Sequence, residues 1–251
     1  MYRSGNPALR DSTFEKSSYK DANWWEVSES SMMTIEGVAE KTGILLLITA
    51  TTALAVAFTM PESALLMAVG LIGSLVTLLM VVFSGSTKPS LICAYAAFEG
   101  LFLGGITWFF EVGLELTGIG LLAALLTFMI LGVMLAIYRA GLIHWDRNLA
   151  IAVSSAVFAI ILVYLISIIG MFAGFHVPYI HGSGPVGILF SLFVVGIGAL
   201  CLVADFDFIE RGVLRGAPKQ LEWRAAFGLM VTLIWLYLEI LKLLAKLAAR
   251  R

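Results

Sequence analysis

The chain has 251 residues, 60% of them apolar and only 13% charged. An ordinary soluble domain carries about 25% charged residues, so the composition excludes a disordered chain and a typical soluble enzyme. With 16 basic against 17 acidic residues and a net charge of −1, it also excludes a nucleic-acid binder with a basic face. Cys93 and Cys201 both sit inside apolar runs, which suits packing better than a disulfide framework. What remains is an all-α, polytopic membrane protein in contact with the lipid bilayer.

Residues 1–33 are polar and read as a flexible tail, in which Trp24 and Trp25 suit the headgroup level. No apolar core follows a basic stretch there, so no cleaved secretory signal is expected. From Thr34 the pattern turns helical, and 34–251 reads as one seven-helix transmembrane domain. A span needs about 20 apolar residues to cross roughly 30 Å of hydrocarbon. The candidate runs are 42–60, 63–87, 89–110, 116–138, 149–175, 185–205 and 225–248. Buried backbone groups must be satisfied within each span, which makes these helices. Pro61, Pro89 and Pro185 stand at span starts, where a proline costs least. No pair of interrupted segments points to a transporter with inverted halves.

Lys and Arg counts alternate along the connections: five before the first span, none after it, then Lys88, none, Arg139 with Arg147, none, and four between spans six and seven. That alternation places the amino terminus in the cytoplasm. Lys242, Lys246, Arg250 and Arg251 then fall on the far side against the rule, and their side chains would snorkel outward.

An ionisable side chain in hydrocarbon is costly and usually faces protein or water. The candidates are Glu99 in span three, Asp205 and Asp207 in span six, and Glu239 with Lys242 in span seven. A buried acid either keeps its proton or needs a partner, and two acids in contact share one proton. Such a pair is a latch that opens when the shared proton leaves. Each candidate also has a plainer reading. Glu239, Lys242 and Lys246 lie on one helical stripe, where Glu239–Lys242 can pair locally. Asp207 has Arg211 at i+4, an interfacial salt bridge. Asp205 shares its stripe with Cys201 and Gly198 and faces an interior more readily. Glu99 abuts Ala96, Gly100 and Gly104, a small-residue pattern for close helix packing.

His176 and His181 lie five apart in the loop at 175–185 without a nearby Cys, Asp or Glu, so a metal site is not expected there. Gly182-Ser183-Gly184 is not placed at a strand-to-helix elbow. Neither a phosphate-binding glycine motif nor a zinc-protease motif is present.

Three short segments carry a resemblance. Ala204-Asp205-Phe206-Asp207-Phe208-Ile209 resembles the Tyr-Asp-x-x-x-Ile segment of the Bax-inhibitor-like family, the transmembrane Bax-inhibitor-motif proteins. Leu236-Tyr237-Leu238-Glu239-Ile240 resembles that family's Leu-Tyr-Leu-Asp-Phe/Ile run, and Phe98-Glu99-Gly100-Leu101 its Leu-Glu-Gly-Leu segment. Asn6-Pro7 in the polar tail and Glu222-Trp223 are similar to a bacterial branch. The resemblance implies six helices around a central seventh and a pH-sensitive calcium leak. It also implies a di-acidic sensor, here Asp205 and Glu239, that meets calcium only weakly and transiently. Two departures stand out: the seventh-helix acid is Glu rather than Asp, and Ala204 replaces the sixth-helix Tyr.

A plain hairpin at Gly216-Ala217-Pro218 sets Asp205 on the order of 10 Å nearer the cytoplasm than Glu239. Glu99 with Glu239 is therefore the second choice for an acidic contact, and Asp207 the remaining acid. The expected function is passive cation conduction with calcium ions and protons as partners, no cofactor and no enzymatic reaction, in a bacterial plasma membrane. A non-transporting membrane modulator competes with it. An intramembrane aspartyl protease ranks lower, since Gly196-Ile197-Gly198 is followed by Ala199 rather than Asp. A retinal protein ranks low as well, because Lys242 comes late in its span.

Overall fold

The computed structural model describes residues 32–59, 64–174, 180 and 182–250. Most of the polar tail, the Trp24–Trp25 pair, Pro61, His176 and His181 lie outside the described residues. Among the described residues, seven helices are long and apolar enough to cross a membrane. They are α1 Ile35–Thr59, α2 Ala64–Ser84, α3 Pro89–Trp108, α4 Ile119–Arg139, α5 Arg147–Ala173, α6 Pro185–Leu214 and α7 Leu221–Ala248. A π-helical turn, Phe109–Gly113, extends α3.

Local chemistry sets several of these boundaries. Pro89 and Pro185 occupy the first turns of α3 and α6, where the missing N–H would have had no helical partner. Asp146 caps α5 by accepting from the Leu149 N–H at 2.8 Å. The α6–α7 turn passes through Gly216 at φ +63°, a left-handed conformation that glycine adopts without a Cβ penalty.

The helices differ most in burial. In the most apolar stretch of α7, 61% of residues are buried, against 17% for α5 and 44% for α3, the extremes among the other six. Helix α7 is therefore the central one. It packs on α6, α1, α4 and α3, while α2 packs on α3 and α5 on α6. Its buried side chains include Phe227, Met230, Leu236 and Leu241. The outer helices instead expose Phe58, Leu65, Phe83, Leu121, Phe158 and Leu189, a surface suited to lipid tails.

Small residues let helices approach closely. A Cβ on Gly100 would lie 2.5 Å from the Thr49 carbonyl oxygen, and one on Gly104 2.5 Å from that of Ala53. Thr49 Oγ1 also donates across this seam to the Ala96 carbonyl at 3.0 Å. The Ala96, Gly100, Gly104 stripe thus serves α1–α3 packing.

Two helices run past the apolar stretches that announce them. Helix α6 continues from Asp205 to Leu214, through Asp207, Glu210 and Arg211. Helix α7 begins at Leu221, ahead of the run at 225–248, and buries Glu222 and Arg224 in its first turn. Glu222 is paired with Lys41 and Asp207 with Arg211, so the helices carry these charges without a break.

Candidate functional site

The acids named from the sequence lie around α7. Glu239 is 2% exposed and sits eighteen residues into α7, about 27 Å along it. Tyr164 of α5 donates its hydroxyl to Oε1 at 3.0 Å and Oε2 at 2.9 Å. Trp235, one turn back, donates its indole N–H to Oε1 at 3.2 Å. Lys242 Nζ lies 2.7 Å from Oε1 and 3.2 Å from the Tyr164 hydroxyl, and 4.5 Å above that tyrosine's ring. The local Glu239–Lys242 pair read from the stripe is present, and α5 completes it.

Lys246 takes a different set of partners. Its ammonium donates to the Ile180 carbonyl at 2.7 Å, the Gly187 carbonyl at 3.1 Å and Ser191 Oγ at 2.8 Å. It ties α7 to the start of α6 and makes no ion pair with a carboxylate among the described residues.

Asp205 is completely buried on α6. The α6–α7 register follows from two contacts: a Cβ on Gly198 would meet Leu236 Cδ1 at 3.1 Å, and Lys246 reaches Ser191. Asp205 therefore stands level with Leu229–Thr232, roughly seven to ten residues or about 10–15 Å from Glu239 along the axis. This is the plain hairpin, and in it the two carboxylates are not neighbours.

Glu99 is 7% exposed on α3, with Ser74 of α2 and Tyr95 as polar neighbours. Tyr95 packs edge-on against Phe227 at 4.9 Å, and Thr107 meets the Tyr237 hydroxyl at 2.7 Å. These contacts set α3 parallel to α7 and bring Glu99 to the level of Leu229–Val231. Glu99 and Asp205 thus share a depth on different neighbours of α7, and Glu239 lies beyond both. Asp207 pairs with Arg211 at i+4 and belongs to the end of the bundle.

Near the opposite end, Glu111 of the π-helical turn accepts from the Gly120 N–H at 3.0 Å, beside the Thr107–Tyr237 bond. Such turns often mark functional positions in helices. Among the described residues no three His, Cys, Asp or Glu side chains gather into a metal centre. The acids can offer a cation one or two carboxylate oxygens at a time.

Sequence reasoning singled out Glu239 and Lys242 but not Tyr164 or Ser74. Both come from other helices, and nothing in local spacing links them to their partners. Trp235 was visible in principle, at i−4 from Glu239.

Seven apolar helices, six of them around a central seventh that is the most buried, with acids held inside, define an integral membrane protein. A family model described as Bax inhibitor 1 like matches residues 6–249, nearly the whole chain, and the protein belongs to that family. No curated protein matches the sequence.

Proposed function

We propose that this protein is a passive, proton-regulated leak path for calcium ions, running along α7 past carboxylates at two levels. The observation that carries this reading is the burial of Glu99, Asp205 and Glu239 on three helices that all belong to the packing around α7. An acid is retained inside a membrane bundle at considerable cost, and commonly marks an ion or proton pathway. Carboxylates are hard oxygen ligands of the kind Ca²⁺ prefers. One or two per level bind weakly, which suits an ion that must also leave.

Asp205 and Glu239 are the proton-responsive acids in this proposal, acting at separate depths. Protonating Glu239 removes the charge that holds Lys242 and frees the α5–α7 contact. Protonating Asp205 removes a charge from the α6 side of the path. The alternation of Lys and Arg along the connections supports an amino terminus in the cytoplasm, and the polar-tailed branch it resembles supports a bacterial plasma membrane.

The test is calcium uptake into proteoliposomes over a series of pH values, for the native protein, Asp205→Asn and Glu239→Gln. The expected result is a pH-dependent flux whose profile changes in both variants. Flux and pH response unchanged in both removes the two acids from the mechanism. No flux in the native protein favours a non-transporting membrane modulator.

A further inference from the structure

We infer that Lys242 is a displaceable counter-ion: its ammonium and a divalent cation are alternative occupants of the Glu239 carboxylate. The inference rests on Glu239 lying on the proposed calcium path, and it adds a residue that sets how readily that position accepts a cation.

The two partners differ in freedom. The Glu239 side chain is 2% exposed and that of Lys242 39%. The carboxylate is held in place by Tyr164 on both oxygens and by Trp235 on one, so it cannot follow a departing partner. The lysine has a flexible four-carbon stem, a hydrated head and an open side, and such chains reach outward from a bundle to the membrane surface.

Lys246, one turn further, is not a substitute. Two carbonyls and Ser191 hold its ammonium 2.7–3.1 Å away, so among the described residues Lys242 is the cation in direct contact with Glu239.

While Lys242 is in place, Oε1 accepts from three donors and a cation faces a positive charge within contact distance. At a few ångströms two like charges repel one another, which weakens cation binding there. Once the ammonium leaves, both carboxylate oxygens and the Tyr164 hydroxyl oxygen turn to a cation, with water filling the remaining positions. Three protein oxygens are few for Ca²⁺, which takes six to eight ligands. The resulting site is weak and readily emptied.

Trp235 supplies the readout, because its indole touches the same oxygen and can sensitise bound Tb³⁺, a luminescent stand-in for Ca²⁺. Tb³⁺ is titrated into purified full-length protein in detergent, with excitation at the indole. Lys242→Met is expected to bind roughly tenfold more tightly than the native protein, and Lys242→Arg, which keeps the charge, to behave as native. The gain is expected to vanish in the Lys242→Met, Glu239→Gln double variant. Equal binding in native protein and Lys242→Met overturns the inference, as does a gain that survives the double variant. If Lys242→Met does not fold, Lys242→Gln carries the same comparison. Failure of both to fold also overturns it, because a counter-ion that must leave cannot be indispensable to the fold. Calcium flux measured after the same proteins are reconstituted into sealed vesicles separates the two proposals: tighter binding without flux in any variant removes the leak and leaves the displacement.

Discussion

Lys41 and Glu222, 181 residues apart, meet through a 2.5 Å ion pair where α1 enters the bundle and α7 begins. Thr34 adds its N–H and hydroxyl to the other carboxylate oxygen at 2.9 and 3.2 Å. The Met33 N–H reaches the Ala217 carbonyl at 2.7 Å, so the entry to α1 is fastened to the α6–α7 turn. Glu222 is fully buried and Lys41 13% exposed. Removing one partner of a buried pair leaves an uncompensated charge, at a cost of about 3–5 kcal/mol. Lys41→Met and Glu222→Gln should each lower the thermal midpoint in detergent, and the double variant should lose less than the two together. Additive losses would place the residues in independent environments.

The same corner leaves little room at Gly37. A Cβ there would lie 2.3 Å from Glu222 Oε1, so Gly37→Ala must push the carboxylate away from Lys41 or tilt α1. Overpacking of this kind costs about 1–3 kcal/mol. Gly43, further along α1, has nothing within 4 Å of its Cβ position. Gly43→Ala should be neutral or stabilising by up to about 1 kcal/mol, from helix propensity. Thermal unfolding of the two alanine variants side by side checks the contrast, and equal midpoints would contradict it.

Thr107 and Tyr237 join α3 to α7 through hydroxyls 2.7 Å apart. Thr107→Val or Tyr237→Phe strands the remaining hydroxyl in the bundle, which costs about 1–3 kcal/mol. Replacing both removes the stranded group. The double variant should therefore be more stable than the two single losses predict, a coupling readable from thermal midpoints of the four proteins.

Much of this architecture is legible in the sequence, because bilayer thickness turns long apolar runs into spans. The runs fail where charges find partners elsewhere in the fold. Asp207, Glu210 and Arg211 read as the end of a span, yet α6 carries them to Leu214, with Asp207 bonded to Arg211 and Glu210 to Tyr138. Glu222 reads as a loop charge because its partner lies on α1, beyond any local window. The Glu239–Lys242 pair is visible in an i, i+3 spacing; the Tyr164 contribution is not, since α5 is placed only by the fold. The depth offset between Asp205 and Glu239 follows from counting residues around the Gly216 turn. Short motifs in the right order place residues on the right helices, but heights come from the length of the hairpin.

Tyr164 offers a separate view of Glu239. Its hydroxyl bonds both carboxylate oxygens, and its ring lies under the Lys242 ammonium. Tyr164→Phe keeps the ring, and with it the cation–π contact, while removing the only α5 donor to the carboxylate among the described residues. The loss should be about 1–3 kcal/mol, as expected for a buried carboxylate deprived of a hydrogen bond. Because Trp235 donates to the same oxygen, its emission should also change as the carboxylate resettles. Tyr237→Phe, which removes a hydroxyl from the same helix as Trp235 without touching Glu239, is the control. If both variants move the tryptophan spectrum alike, the change reports general loosening of α7 rather than release of Glu239. If only Tyr164→Phe moves it, α5 is what holds the carboxylate in place.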